Sequence, residues 1–123
     1  MRYYHFTILE EPQGKGRPRF TRTGHAYTPE KTKKYERFVA MQYHGEVFEG
    51  ALRVSIKAYC KRPMRGAGKY PTKRPDADNI AKAILDALNG VAWKDDKQVV
   101  ELSITKEWAE KHEKVEVSIK RLD

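Results

Sequence analysis

Cysteine is nearly absent from this chain of 123 residues, in which Cys60 is the only one. A single cysteine excludes an intrachain disulfide and any zinc site built from several thiolates, and it fits a reducing compartment. Cys60 also ends an alternating apolar segment. We therefore expect its side chain to fill the core rather than to act as a nucleophile.

Long hydrophobic runs are missing as well. No apolar run approaches the roughly 18 residues that a membrane-spanning helix needs, so we expect no membrane partner and a cytoplasmic protein. Hydrophobic residues make up 39% of the chain and charged residues 34%, which predicts a modest core under a strongly charged surface. The length suits one compact domain, and we expect a single domain over residues 1–123.

Acidic residues are too few to balance the basic ones. Lys and Arg number 25 against 17 Asp and Glu, which leaves a net charge of +8. Such an excess favours a polyanionic partner, because each Lys or Arg that neutralises a phosphate releases a counterion. Charge kept for solubility is the alternative. The candidates for contacts with a nucleic-acid backbone are Lys15, Arg17, Arg19, Arg22, Arg65, Lys69, Lys73 and Arg74.

Strands are indicated by alternation of apolar and polar residues and by β-branched or aromatic composition. The predicted strands cover residues 3–9, 51–60, 100–104 and 115–119, with a hairpin at Thr23-Gly24 that joins 19–22 to 25–27. Between the second strand and the next helix, a loop at 61–75 carries basic residues and no acidic one. Its Gly and Pro content also fits an ordinary solvated loop.

Two helices complete the pattern. Thr28 is the predicted N-cap of the first, with Pro29 in the first helical position and an end near Gly45. Its predicted inner face consists of Tyr35, Phe38, Val39 and Met41. The second helix should run from about Ala77 to Asn89 and stop at Gly90. The order of elements predicts an α+β fold, with a mixed or antiparallel sheet of four to six strands packed with two main helices.

The second helix separates its residues into two faces. At about 100° per residue, the apolar residues share one broad arc and the polar ones share the opposite arc. The apolar arc consists of Ile80, Ala81, Ile84, Leu85 and Leu88, and the polar arc of Asp78, Asn79, Lys82, Asp86 and Asn89.

Ordinary structural roles can explain each polar residue alone. Asp76 or Asp78 could cap the helix, Asp78 and Lys82 have the spacing of a surface ion pair, and Asp95-Asp96 could lie in a turn. The chemical alternative is that two acids at the helix start and a third before the next strand converge on Mg²⁺. Spacing by itself leaves both interpretations open.

A longer pattern resembles a known family. Asp76-Ala77-Asp78-Asn79-Ile80-Ala81-Lys82, then Leu85-Asp86-Ala87-Leu88-Asn89-Gly90, then Asp95-Asp96-Lys97-Gln98, resembles the signature of RusA-type Holliday junction resolvases. The segment Gly16-Arg17-Pro18-Arg19 also resembles a basic element of that family. The resemblance covers nearly the whole chain.

The resemblance implies roles for individual residues. Asp76, Asp78 and Asp96 would be the metal-binding catalytic carboxylates, and Lys82 the catalytic lysine. Asp95 is the alternative to Asp96, because the segment before this pair varies in length across such proteins. Asp86 would either orient Lys82 from one turn away or be a surface acid. Asn79 shares their face of the helix and is a further second-tier candidate.

The resemblance also implies an activity. It predicts an endonuclease that uses Mg²⁺, with Mn²⁺ as a substitute, and that resolves four-way DNA junctions by paired symmetric nicks in a bacterial cell or phage-infected host. Two nicks from so small a chain require a homodimer. The competing hypotheses are a nuclease for flaps or other branched DNA and a non-catalytic nucleic-acid-binding protein. The last leaves the grouping of acids with Lys82 unexplained.

Overall fold

Alternating residues build the central sheet, as the sequence predicts. The computed structural model describes all residues 1–123. Its strands are β1 (Tyr3–Ile8), β2 (Arg19–Phe20), β3 (Ala26–Tyr27), β4 (Leu52–Cys60), β5 (Val99–Trp108) and β6 (Lys114–Arg121). The helices are α1 (Glu30–Gln42) and α2 (Ala77–Leu88), with one 3₁₀ turn at Asp96–Gln98. The predicted α+β class is confirmed, with two helices and a mixed four-stranded sheet.

The order of strands in the main sheet is β1-β6-β4-β5. β6 pairs antiparallel with both β1 and β4, whereas β4 and β5 are parallel. A parallel pair needs a crossover connection, and α2 lies in the segment that provides it. The crossover places α2 beside β5, which is an edge strand of the sheet.

The core forms where both helices meet the sheet. Every second residue of β4 is buried, from Leu52 to Cys60. α2 buries Ile80, Ala81, Ala83, Ile84, Ala87 and Leu88. Cys60 belongs to this interior, and burial raises the pKa of its thiol. The buried thiol agrees with a packing role for Cys60.

The bounds of α2 are predicted almost to the residue. The helix ends at Leu88, and Gly90 follows with φ of +79°, a conformation that glycine adopts without strain. The predicted apolar arc is the buried one, with Leu85 partly buried at its margin.

No helix of the chain is both long and apolar enough to cross a bilayer.

The prediction for α1 is wrong at both ends and for one residue of its inner face, whereas Tyr35 and Val39 are buried and Phe38 packs against the core as predicted. The N-cap position is held by Pro29 instead of Thr28, and no side chain caps it. The helix ends at Gln42 rather than near Gly45. Met41 is 70% exposed, because it lies about 200° around the helix from the buried Val39.

Candidate functional site

The groove between α2 and the edge strand β5 gathers most of the predicted catalytic residues. Residues four apart lie on one face of a helix, so Asp78, Lys82 and Asp86 follow one another along the α2 side of the groove. On the other side, β5 is an edge strand, and its Leu102 stays 46% exposed. The groove, which we call the acidic cleft, is lined by Asp78, Ala81, Lys82, Leu85, Asp86, Asp96, Leu102 and Ile104.

Asp96 is fixed in the acidic cleft by a buried residue. The indole Nε1 of Trp93, which has no exposed surface, donates to Asp96 Oδ1 at 2.7 Å. The backbone N–H of Asp96 donates to Asn89 Oδ1 at 3.1 Å. Asp96 Oδ2 makes no hydrogen bond within the protein, so the carboxylate keeps an oxygen available for a ligand.

Asp95 caps the 3₁₀ turn, a structural role that Asp96 does not share. Its Oδ1 accepts the backbone N–H of Lys97 at 3.0 Å, and Gln98 Oε1 accepts the backbone N–H of Asp95 at 3.0 Å. These bonds form a capping box around the 3₁₀ turn. The structure thus engages Asp95 in its own turn and directs Asp96 into the acidic cleft.

Asp76 does not line the acidic cleft. It occupies the N-cap position of α2, yet its side chain makes no capping hydrogen bond. Only its backbone carbonyl takes part, accepting the N–H of Ile80 at 3.0 Å. The ordinary explanation of Asp76 as a side-chain cap therefore does not hold, and no hydrogen bond commits its carboxylate.

The acids lie along the groove rather than in a ring. Asp78 and Asp86 are eight residues apart on α2, which is about 12 Å along the axis. No three Asp, Glu, His or Cys side chains come close enough to hold a metal ion together. The four histidines also form no such group. The structure does not bring Asp76, Asp78 and Asp96 into one preformed metal cage.

The donor chemistry nevertheless fits a hard divalent cation. Mg²⁺ is commonly bound through one or two carboxylates, with water and substrate phosphate completing its ligands. Asp78 and Asp96 both line the acidic cleft and provide two such carboxylates. The residues therefore suit an ion shared with a bound phosphate better than a closed structural site.

Lys82 supplies the positive charge of the acidic cleft. It is the only Lys or Arg among the lining residues, and its side chain is 63% exposed. Its one ion pair is with Asp86 Oδ2, at the limiting distance of 4.0 Å. The ammonium is thus available to an incoming anion.

Lys15 was predicted to contact DNA, but the structure pairs it with two carboxylates of the protein. Its Nζ lies 3.2 Å from Glu36 Oε1 and 3.0 Å from Asp86 Oδ2, and its side chain is only 17% exposed. Burial alone would lower the pKa of Lys15, but hydrogen bonds to Asp86 and Glu36 outweigh it and raise the pKa. Its ammonium is occupied by protein carboxylates.

The segment around Lys15 is docked between the two helices. The backbone N–H of Lys15 donates to the carbonyl of Asn79 at 3.0 Å, and that of Gly16 donates to Thr32 Oγ1 at 3.2 Å. A Cβ on Gly14 would lie 3.1 Å from the Cβ of Asn79. We call residues 14–16 the GKG segment. Its glycines permit an approach that side chains would obstruct.

Gly16→Ala should therefore destabilise the protein. The added methyl group would collide with Thr32 Oγ1, a buried polar group, and break its hydrogen bond to the backbone. Overpacking of this kind costs about 1–3 kcal/mol, which urea denaturation would measure. Gly68→Ala is the matched control, because a Cβ there meets nothing within 4 Å. Equal stability of the two variants would contradict the docking of the GKG segment.

Apart from Lys73, which packs on Trp108, the other basic candidates separate into two groups. Arg17, Arg19 and Arg74 line one polar hollow together with Lys31, which the sequence interpretation missed. Lys31 lies in the first turn of α1, and its place among the lysines of that helix was the available signal. Arg22, Arg65 and Lys69 are exposed on loops.

Trp108 anchors the basic loop at 61–75. Its indole Nε1 donates to the carbonyl of Gly68 at 2.9 Å. The guanidinium of Arg62 and the ammonium of Lys73 lie 5.8 and 5.7 Å from its ring centroid, distances at which cation–π attraction operates. Lys106 Nζ also donates to the carbonyl of Lys73. The loop is therefore folded back onto the end of β5.

Comparison with known proteins gives two findings. Residues 10–120 match the family described as Endodeoxyribonuclease RusA. The chain is also 34% identical, over an alignment of 136 residues, to the Uncharacterized protein YqaN of Bacillus subtilis (strain 168). That alignment covers 95% of each of the two chains. The family match includes the GKG segment, α2 and the Asp95-Asp96 pair.

Proposed function

Because the chain belongs to the RusA endodeoxyribonuclease family, we propose that it is a magnesium-dependent endonuclease that resolves four-way DNA junctions by paired symmetric nicks. The observation that carries the proposal is the acidic cleft, in which three carboxylates, two of them offered as metal ligands, and one available ammonium line the same groove. These groups suit phosphodiester hydrolysis, since a metal ion and a cation can both stabilise the negative charge that develops on the phosphate.

In the proposed mechanism, Asp78 and Asp96 would hold the divalent ion. When bound there, such an ion would lower the pKa of a coordinated water and neutralise phosphate charge. Asp76 remains a predicted ligand, and its uncommitted carboxylate would have to turn from the N-cap position toward the acidic cleft. Lys82 donates to a non-bridging phosphate oxygen as negative charge develops there. Mn²⁺ would replace Mg²⁺, because both accept carboxylate ligands.

The surface charge supports a DNA substrate. Arg17, Arg19 and Arg74 share a hollow near the start of α2, and the loop held by Trp108 adds further cations. These basic residues around the acidic cleft offset the repulsion between its carboxylates and the DNA phosphates. We assign these residues to the phosphate backbone, which positions a substrate without reading its sequence.

A homodimer follows from the proposed reaction. One acidic cleft makes one nick, whereas resolution of a junction needs two nicks in strands related by an approximate two-fold axis. Two copies of the chain related by the same symmetry would place one cleft at each strand.

Metal dependence and substrate can be tested together. The wild-type protein is incubated with an end-labelled synthetic four-way junction in Mg²⁺, in Mn²⁺ and in EDTA, with a flap and a linear duplex as comparison substrates. We expect symmetric nicks in two opposite strands of the junction with either metal and none in EDTA. Preferential cutting of the flap would indicate the branched-DNA alternative, and metal-independent binding without cleavage would indicate a non-catalytic protein.

A further inference from the structure

We propose that Lys15 is a positioning residue that engages Asp86 and thereby keeps the ammonium of Lys82 available in the acidic cleft. The inference rests on the proposed nuclease function, in which Lys82 meets the scissile phosphate. It gives the GKG segment a role inside the protein, in addition to the DNA contacts of the neighbouring arginines.

Asp86 lies between two lysines at unequal distances. Its Oδ2 is 3.0 Å from the Nζ of Lys15 and 4.0 Å from the Nζ of Lys82. The closer pair is also the better shielded one, because the side chain of Lys15 is 17% exposed and that of Lys82 is 63% exposed. Charge pairs removed from water interact more strongly. Asp86 is therefore neutralised mainly by Lys15.

Lys15 is held in this position by groups other than Asp86. Its backbone N–H donates to the carbonyl of Asn79 in the first turn of α2. Its ammonium also donates to both carboxylate oxygens of Glu36 on α1, each at 3.2 Å. The flanking glycines allow the segment to sit between the helices. The ammonium is thus delivered to Asp86 by the backbone of a docked segment.

Without Lys15, Asp86 would turn to the only other cation paired with it. Lys82 and Asp86 are at i and i+4, so their side chains are neighbours on one face of the helix and can pair. A closed pair would draw the ammonium of Lys82 along α2, toward Asp86 and away from a phosphate held at Asp78. Lys15 prevents that closure by occupying the carboxylate first.

The first test separates catalysis from binding. Lys15→Met should lower kcat for junction cleavage on the order of 10–100-fold, as loss of a supporting partner typically does, with KM within about twofold of wild type. Lys120→Met is the matched control, since it removes the same charge from an exposed strand position. Thermal unfolding of each variant establishes that it is folded at the assay temperature. A Lys15→Met defect that lies in KM instead would overturn the proposal in favour of a DNA contact.

Double-variant comparisons identify the partner. In an Asp86→Asn background, Lys15→Met should have almost no further effect, because the carboxylate that would draw Lys82 away from the phosphate is already gone. In a Glu36→Gln background, the 10–100-fold loss should persist. A merely structural role for Lys15 predicts the same loss in both backgrounds, and that result would refute the positioning role.

A second measurement does not depend on cleavage. Lys82 is acetylated with limiting acetic anhydride in the absence of metal, and mass spectrometry follows the peptide that contains it. In the Lys15→Met variant, Lys82 should be acetylated several-fold more slowly than in the wild type. When both proteins also carry Asp86→Asn, the two acetylation rates should be equal. An unchanged acetylation rate would overturn the proposal. If the wild type cuts no junction, the proposed function fails, whereas acetylation still tests the pairing of Lys15, Asp86 and Lys82.

Discussion

Lys82→Ala is expected to slow junction cleavage on the order of 10²–10³-fold while leaving the affinity for the junction within about threefold. Lys82 is the only cation lining the acidic cleft, and its ammonium has no closer partner than Asp86 at 4.0 Å. Removal of a charge aimed at a developing oxyanion typically slows a reaction about 10²–10³-fold. Its contribution to affinity is small beside that of the many basic residues outside the cleft.

Single-turnover cleavage in Mg²⁺ and mobility-shift titration in EDTA would measure the two effects separately. Alanine is a good helix former, and the exposed side chain of Lys82 contributes little to stability, so Lys82→Ala should unfold like wild type. Lys120→Ala serves as a charge-matched control on the sheet. Cleavage by Lys82→Ala at a rate near that of wild type would remove this lysine from the mechanism.

Local sequence information was sufficient to predict α2 and the polar face that it presents. Twelve residues with a clear helical period determine which side is buried, and Gly90 marks the end. The relation of Asp78, Lys82 and Asp86 follows from the same period. α1 was predicted less well, because its apolar residues are sparse and its first residues carry no side-chain cap.

The separate tasks of Asp95 and Asp96 had a sequence signal that the interpretation did not use. Asp95 and Gln98 have the D-x-x-Q spacing of a capping box, which the structure contains. That spacing would have assigned Asp95 to the turn before any coordinates were known. The hydrogen bond from Trp93 to Asp96 depends on how the chain folds around a buried indole, and it has no comparable local signal.

Long-range contacts account for what the sequence could not predict. Lys15 meets Glu36 and Asp86 across 21 and 71 positions of the chain, and only the packing of α1 against α2 brings the three together. A lysine beside glycines, prolines and arginines has the composition of a DNA-binding loop. Its burial depends on glycines that let the segment enter between the helices.

Asp96→Asn should reduce cleavage on the order of 10²–10³-fold, since a carboxylate that holds a catalytic metal contributes several kcal/mol to the reaction. The substitution removes the charge but keeps Oδ1, so Trp93 can still donate its hydrogen bond. The fold should therefore be retained. Junction affinity in EDTA should be equal or higher, because repulsion between the carboxylate and DNA phosphate is relieved.

The adjacent Asp95→Asn variant is the control, because it changes the same charge one residue away. Asparagine is as good an N-cap as aspartate, so the capping box should survive and cleavage should stay within about threefold of wild type. Cleavage rates in saturating Mg²⁺, with thermal unfolding of both variants, would decide between the two acids. If Asp95→Asn is inactive and Asp96→Asn still cuts, the metal-binding role belongs to Asp95. The acidic cleft would then be the wrong site, since Asp96 lines it and Asp95 does not.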